Sequence, residues 1–376
     1  MNILDYHTLQ YIWWIIMLVL IIGFSITDGF DMGVAVLLPF IAKTDIERRV
    51  VINTVGATWE GNQVWLITAL AALFAAFPQV YAVSFSTLYI ALMLTLFCLF
   101  LRPVGFDYRS KLSNPKWRKY WDIALFAGGF FPCIIFGIAV GNIFLGLPFY
   151  FDKWQMIYNT ASFTKLFHPF ALLTSLIGLS LFCLHGATWL NVKTSGIIQS
   201  RAKKFAKFFA AFFIILWIIG GFSLKFIHGF SIDQNAVITL KTNAWLNNFI
   251  QYPKLYFICL SGIFCVGLNI LLQNKFAKLS WILSCLTIII FFVNTAIALF
   301  PFMLPSSANL QQSLTAFNAS SSHKTLFSML IAVIIFMPLI ITYTAWVYNV
   351  LKGKIEEKDI EETQENLAKN KNSYWY

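Results

Sequence analysis

Long apolar runs recur along the chain, and polar residues gather in the segments between them. The runs are close to 20 residues long, the length at which an α-helix crosses the roughly 30 Å apolar core of a bilayer. They are continuous, whereas strands of a membrane barrel alternate in polarity, so strands are not expected. The pattern predicts an all-α integral membrane protein with about nine transmembrane helices, at residues 9–40, 50–77, 79–101, 119–146, 167–190, 205–227, 255–273, 278–300 and 327–351.

Proline and polar residues mark several boundaries of these runs. Pro78 separates the second and third predicted helices, and Pro301 and Pro305 close the eighth. The first run has no basic segment before it and no small-residue cleavage site, which predicts a retained helix rather than a signal peptide. Residues 352–376 are polar and charged, and they are predicted to be a solvated tail with at most a short helix.

Composition supports a membrane protein and excludes an ordinary soluble domain. Hydrophobic residues make up 59% of the chain and charged residues only 11%, whereas soluble domains carry about 25% charged residues. The six cysteines lie in or near apolar runs and form no CxxC pair, which favours buried small hydrophobic residues over a disulfide or metal framework.

The distribution of lysine and arginine predicts the orientation of the chain in the membrane. If the N-terminus lies outside, 21 of the 27 basic residues fall in inner segments, which matches the excess of Lys and Arg in cytoplasmic loops. The C-terminus is then in the cytoplasm. The net charge of +11 follows from these topology signals and from headgroup contacts, so nucleic acid is not an expected partner.

Two aspartates lie towards the inner end of the first predicted helix. Asp28 and Asp31 are three residues apart and therefore share a helix face. Two interpretations stand at about equal weight: a functional role, or a structural one in which the carboxylates cap the helix or pair with Arg48 or Arg49.

Glu60 is the only charged residue between Arg49 and Arg102. Its position, about ten residues into the second predicted helix, places it near the middle of the bilayer, where burial should raise the pKa of its carboxyl group. Ionisable groups at that depth cost about 2.5 kcal/mol or more and usually mark ion or proton paths. Proton transfer is therefore favoured over a protonated, hydrogen-bonded structural glutamate, with Trp59, Asn62 and Gln63 beside it.

The segment after the third predicted helix is rich in charges, and it begins at Arg102. It also contains Asp107 and Lys111, so it could be an ordinary positive-inside loop or the mouth of a proton path leading to Glu60. Only His185 of the five histidines lies well inside a helix, so no metal site and no haem ligation are expected within this chain. No nucleotide-binding loop or HExxH motif occurs.

Three hypotheses fit these residues. The chain could be a subunit that carries protons for a larger membrane complex, a proton-coupled permease built from inverted repeats, or a purely structural partner subunit in which Glu60 affects stability alone.

Several ordered blocks of the sequence support the first hypothesis. They are Thr27-Asp28-Gly29-Phe30-Asp31-Met32-Gly33, Trp59-Glu60-Gly61-Asn62-Gln63-Val64-Trp65, Arg102-Pro103-Val104-Gly105-Phe106-Asp107-Tyr108-Arg109, Phe300-Pro301-Phe302-Met303-Leu304-Pro305 and Tyr343-Thr344-Ala345-Trp346. Together they resemble subunit II of the cytochrome bd-type quinol oxidases over residues 4–355, with a looser match at 147–255.

The resemblance implies a nine-helix subunit made of two four-helix bundles and one peripheral helix, paired with a similarly folded subunit I in the bacterial inner membrane. It implies that haem b and haem d belong to subunit I, that small accessory subunits and a bound quinone are possible, and that quinol oxidation is coupled to reduction of dioxygen to water with protons taken from the cytoplasm. By the same resemblance Glu60 is the proton-transferring acid, and Asp107 and Lys111 form the proton entrance. Structural or electrostatic roles fall to Asp28, Asp31, Trp59, Asn62, Gln63 and Arg102.

Overall fold

The structure is a computed structural model that describes residues 4–160, 162–233 and 235–360. These residues form twelve α-helices: α1 Tyr6–Ile41, α2 Asp45–Asn53, α3 Trp59–Ala76, α4 Pro78–Thr87, α5 Tyr89–Tyr108, α6 Pro115–Leu145, α7 Pro169–Lys193, α8 Gly196–Ser223, α9 Asn247–Gln251, α10 Tyr256–Leu272, α11 Ala277–Leu299 and α12 His323–Val350. Eight of them are long and apolar enough to cross a membrane, and the bent pair α3 and α4 raises the number to as many as nine. The predicted all-α membrane fold is confirmed.

The spanning helices form two groups of four. In the first group α1 packs against α3 and α6, and α6 packs against α5. In the second, α7 packs against α8 and α11, and α10 packs against both of these. The two groups meet where α1 and α6 pack against α7. Helix α12 is peripheral, since Leu326 and Leu330 are its only buried residues among those described. This arrangement agrees with two four-helix bundles and one peripheral helix.

Two glycines allow α1 and α7 to cross at very short distance. A Cβ atom on Gly33 would lie 1.9 Å from the carbonyl oxygen of Phe182, and one on Gly186 would lie 2.6 Å from the carbonyl carbon of Gly33. Without a hydrophobic driving force between helices in lipid, such small residues permit the close packing that holds helices together. The crossing places the polar segments of the two helices, around Asp28 and His185, in the interior of the molecule.

The second predicted helix begins in the wrong place. Residues 45–53 form the separate helix α2, and the spanning helix α3 begins only at Trp59. Thr44 caps α2 through a capping box with Glu47, whose carboxylate also accepts a hydrogen bond from Arg201 at 2.8 Å. Partial burial opposes ionisation of Glu47, but the Lys43 and Thr44 amides and the Arg201 guanidinium lower its pKa overall.

The third predicted helix, 79–101, is also different in the structure. Pro78 does separate two helices, and the chain bends by 119° between α3 and α4. However, α4 ends at Thr87, and the spanning helix α5 runs from Tyr89 to Tyr108, so Arg102 and Asp107 are helical rather than in a loop. No proline or glycine lies at the break at Leu88, so the sequence gives no sign of it.

Three short antiparallel hairpins lie in the long connectors, which corrects the expectation of no strands. They are β1 Phe149–Phe151 with β2 Ile157–Asn159, β3 His228–Ile232 with β4 Ile238–Thr242, and β5 Phe302–Leu304 with β6 Leu314–Thr315. They lie at the opposite end of the helices from α2 and the 109–114 turn. We call the end with α2 the basic end, because most lysines and arginines lie there.

The beginning of the predicted solvated tail is docked on the protein. The Ile355 amide donates a hydrogen bond to the Lys193 carbonyl at 2.8 Å, and Ile360 is buried in the core with α1, α7 and α8 residues. Residues 357–360 are helical, and the rest of the tail, 361–376, lies outside the described residues. We call residues 352–360 the docked segment.

Candidate functional site

A chain of buried polar side chains joins four helices near the basic end. The Arg102 guanidinium donates to the Asp28 carboxylate at 2.9 Å, and both side chains are essentially inaccessible. Asn62 donates from Nδ2 to Asp31 at 2.8 Å and accepts at Oδ1 from the Tyr348 hydroxyl at 2.7 Å. Since charged groups are costly inside a membrane protein, this mutual pairing is the condition under which they can be buried there.

The buried cluster has unused hydrogen-bonding capacity. Asp28 Oδ1, Asp31 Oδ1, Arg102 Nε and Arg102 Nη1 are buried, and none has a partner among the described protein atoms. Buried groups of this kind are usually satisfied by ordered water. We therefore expect internal water between the two carboxylates and the guanidinium.

The structural alternative considered for the two aspartates named the wrong partners. Asp28 pairs with Arg102, whereas Arg48 pairs with Asp122 at 2.7 Å. Asp122 also binds Arg109 at 2.5 Å, and Arg109 continues to Asp45 at 2.9 Å, which Arg118 binds at 2.6 Å. This second set of ion pairs ties α2, α5 and α6 together, and sequence spacing did not reveal it because the partners are far apart in the chain.

Glu60 is not ten residues into a helix and is not buried in this chain, so its predicted place in the helix and its predicted burial within this chain are wrong. It is the second residue of α3, and its side chain is exposed on the outer surface of the chain. Asp107 in the last turn of α5 and Lys111 just beyond it are also exposed. The three residues belong to one region, because the rings of Trp59 and Phe106 lie 6.0 Å apart.

The remaining predicted residues lie either in the buried cluster or beside Glu60 on α3. Asn62 is 2% exposed and belongs to the buried cluster, while Trp59 and Gln63 are half-buried on the side of α3 that carries Glu60. Sequence reasoning missed Tyr348. The available signal was its position two residues beyond the Tyr-Thr-Ala-Trp block, in a helix that otherwise offers few polar groups.

Replacing Tyr348 by phenylalanine is expected to destabilise the protein by about 1–2 kcal/mol, because the buried Oδ1 of Asn62 loses its hydrogen-bond donor. The midpoint of thermal denaturation measures the effect. Tyr343→Phe is the matched control, since Tyr343 lies on the same helix with 65% of its surface exposed. Equal melting of the two variants would show that the Tyr348 hydroxyl contributes nothing.

The buried histidine of this chain has no ring nitrogen free to ligate a haem iron. Both ring nitrogens of the buried His185 are engaged, Nδ1 with the Ser284 hydroxyl at 2.7 Å and Nε2 with the Ile26 carbonyl at 2.8 Å. In the part of the chain that the structure describes, no group of three His, Cys, Asp or Glu residues could hold a metal ion. The six cysteines are all free.

Comparison with known proteins shows the family of this chain. Residues 9–351 match the family model described as cytochrome bd terminal oxidase subunit II. The chain is 41% identical to the probable cytochrome oxidase subunit 2 of Haemophilus influenzae and 39% identical to the cytochrome bd-I ubiquinol oxidase subunit 2 of Escherichia coli K12, in each case over 97% of this chain and 100% of the relative.

More distant similarity extends to Gram-positive bacteria and to a solved structure. The cytochrome bd ubiquinol oxidase subunit 2 of Bacillus subtilis is 30% identical over 94% of this chain and 98% of the relative. A chain in the structure of the bd oxidase from Geobacillus thermodenitrificans has the same fold, with a TM-score of 0.72 at 14% identity, covering 92% of this chain and 99% of that one. The family match over nearly the whole chain leads to one conclusion: this protein belongs to the cytochrome bd terminal oxidase subunit II family.

Proposed function

We propose that this chain carries protons from the cytoplasm to a haem-bearing partner subunit in a terminal quinol oxidase. Membership of the family makes it a multi-pass inner-membrane subunit of a haem-containing quinol:oxygen oxidoreductase complex that includes a subunit I. It also removes the basis for the permease hypothesis. The proton role and the division of labour between the subunits are our proposal.

The observation that carries the proposal is the exposure of Glu60 on α3. A carboxylate facing lipid in a spanning helix would be strongly unfavourable, so an exposed one predicts that another protein surface covers it. We infer that subunit I covers this face of α3. Glu60 would then lie at the boundary between the subunits, where a carboxyl group can pass a proton from one chain to the other.

Asp107 and Lys111 would supply Glu60 with protons. Both are exposed at the basic end, and the contact between Trp59 and Phe106 places the end of α5 against the beginning of α3. The excess of lysine and arginine at this end supports its assignment to the cytoplasm, with the N-terminus on the periplasmic side. Protons would therefore enter at Asp107 and Lys111, and Glu60 would deliver them to the partner.

We further propose that haem b and haem d are bound by subunit I alone. Haem iron in this complex supplies dioxygen chemistry, and His185 supports the assignment because its two nitrogens already hold α7 to α1 and α11. The same proposal includes a bound quinone and small accessory subunits. We assign neither of them to particular residues of this chain.

Four histidines lie outside the interior of the helix bundle: His7, His168, His228 and His323. Replacing each of them by asparagine is expected to leave the haem content of the purified two-subunit complex unchanged. His185→Gln should lower the yield of the complex, because the buried contacts are lost, but the haem per assembled complex should stay the same. Pyridine haemochrome analysis normalised to protein measures this ratio. A variant that assembles normally yet lacks one haem would overturn the assignment to subunit I.

A further inference from the structure

A groove of about 530 Å³ opens at the basic end between the end of α7, the beginning of α11 and the docked segment. Its wall is apolar apart from two lysines. The lining residues are Val192, Phe276, Ala277, Lys278, Leu279, Ile282 and Lys354.

Two lysines lie at the mouth of the groove. Lys278 on α11 and Lys354 in the docked segment are both exposed, and among the described residues neither takes part in an ion pair. In addition, α11 begins without a side-chain cap, so its first amide groups stay available to an acceptor.

We propose that this groove binds one anionic phospholipid, with an acyl chain along Leu279 and Ile282 and the headgroup phosphate between Lys278 and Lys354. Two observations select this occupant. The apolar wall requires a hydrocarbon, and the two lysines at the membrane boundary require a negative charge, a combination typical of basic lipid pockets between transmembrane helices. A quinone has an apolar tail but a neutral head, so it would leave both ammonium groups unpaired.

The lipid would also connect two parts of the chain that are distant in sequence. Lys354 is followed by Ile355, whose amide binds the Lys193 carbonyl at 2.8 Å. Lys354 also lines a second cavity, of about 350 Å³, together with Tyr348 of the buried cluster. A phosphate held by both lysines would fix the docked segment over α11 and beside this second cavity.

Native mass spectrometry of the complete, delipidated two-subunit complex tests the proposal, with phosphatidylglycerol or phosphatidylcholine added back. Each lysine near such a surface is worth roughly a fivefold preference for anionic lipid. Wild-type complex should retain one phosphatidylglycerol, and Lys278→Ala with Lys354→Ala should lower its affinity about 25-fold. Ile282→Trp, which fills the groove, should weaken binding of both lipids.

Lys116→Ala with Lys119→Ala is the matched control, since these two exposed lysines lie at the same end of the molecule in α6. It should leave phosphatidylglycerol binding unchanged. Equal retention of both lipids by the wild type, or unchanged binding in the Lys278 and Lys354 variant, would overturn the proposal. The result is independent of proton transfer, because the measured quantity is the lipid retained by the complex and not its oxygen or proton uptake.

Discussion

Replacing Arg102 by methionine is expected to destabilise the protein by about 3–5 kcal/mol, the usual cost of removing one partner of a buried ion pair. Arg102 is 1% exposed and faces two fully buried aspartates, Asp28 and Asp31. Methionine fills part of the same volume but leaves Asp28 without the one ion-pair partner that it has among the described residues. The positive charge is therefore needed for the two carboxylates to remain inside the helix bundle.

The double variant Arg102→Met with Asp28→Asn separates charge from packing. It removes the unpaired carboxylate, so it should recover a large part of the lost stability, as replacement of both partners of a buried pair often does. Arg48→Met is the matched control. Its side chain is 30% exposed, and its partner Asp122 keeps Arg109, so the loss should stay within about 1 kcal/mol.

Thermal denaturation of the assembled complex, followed by the amount that remains soluble, measures all three variants. If Arg102→Met melts with the wild type, the ion pair is not required for stability. If the double variant melts as low as the single one, the lost packing of the guanidinium, rather than the unpaired charge, causes the destabilisation.

The sequence predicted the number of spanning helices and most of their limits because apolar runs of membrane length leave a strong signal. It failed in two places. At Leu88 a helix break inside an apolar run carries no proline or glycine, and between α1 and α3 a short amphipathic helix, α2, precedes the spanning helix. Both junctions depend on tertiary contacts. The capping box at Thr44 and Glu47 was the one local sign that a separate helix begins there.

The residues of the candidate site were identifiable by type, but their surroundings were not. Asp28 and Asp31 stand out as charges in an apolar run and Arg102 as the first charge after one, and the structure brings them together. Their pairing could not be deduced, because Arg102 lies 74 residues from Asp28 in the chain. The place of Glu60 in its helix was misjudged for a simpler reason: it was counted from residue 50, whereas α3 begins at Trp59.

Replacing Glu60 by glutamine is expected to lower quinol-dependent oxygen uptake by the two-subunit complex by about 100-fold, the loss typical of removing a positioned proton-transferring group. Glutamine has the same shape but cannot release a proton. Aspartate keeps the carboxyl group on a side chain one methylene shorter, so Glu60→Asp should retain a substantial part of the activity. Glu357→Gln is the matched control, because Glu357 is an exposed carboxylate in the docked segment and not part of α3.

Oxygen uptake should be recorded together with proton uptake from the medium by a pH-sensitive dye. A proton role predicts that both fall in Glu60→Gln while the haem content and the amount of complex stay normal, and that Asp107→Asn gives a smaller decrease, since a surface entrance can be replaced in part by water. The purely structural alternative predicts a different pattern, in which loss of complex accounts for all loss of activity and Glu60→Asp fails as badly as Glu60→Gln. Full activity in Glu60→Gln would exclude the proton role and leave membership of the family untouched, because that rests on the match over residues 9–351.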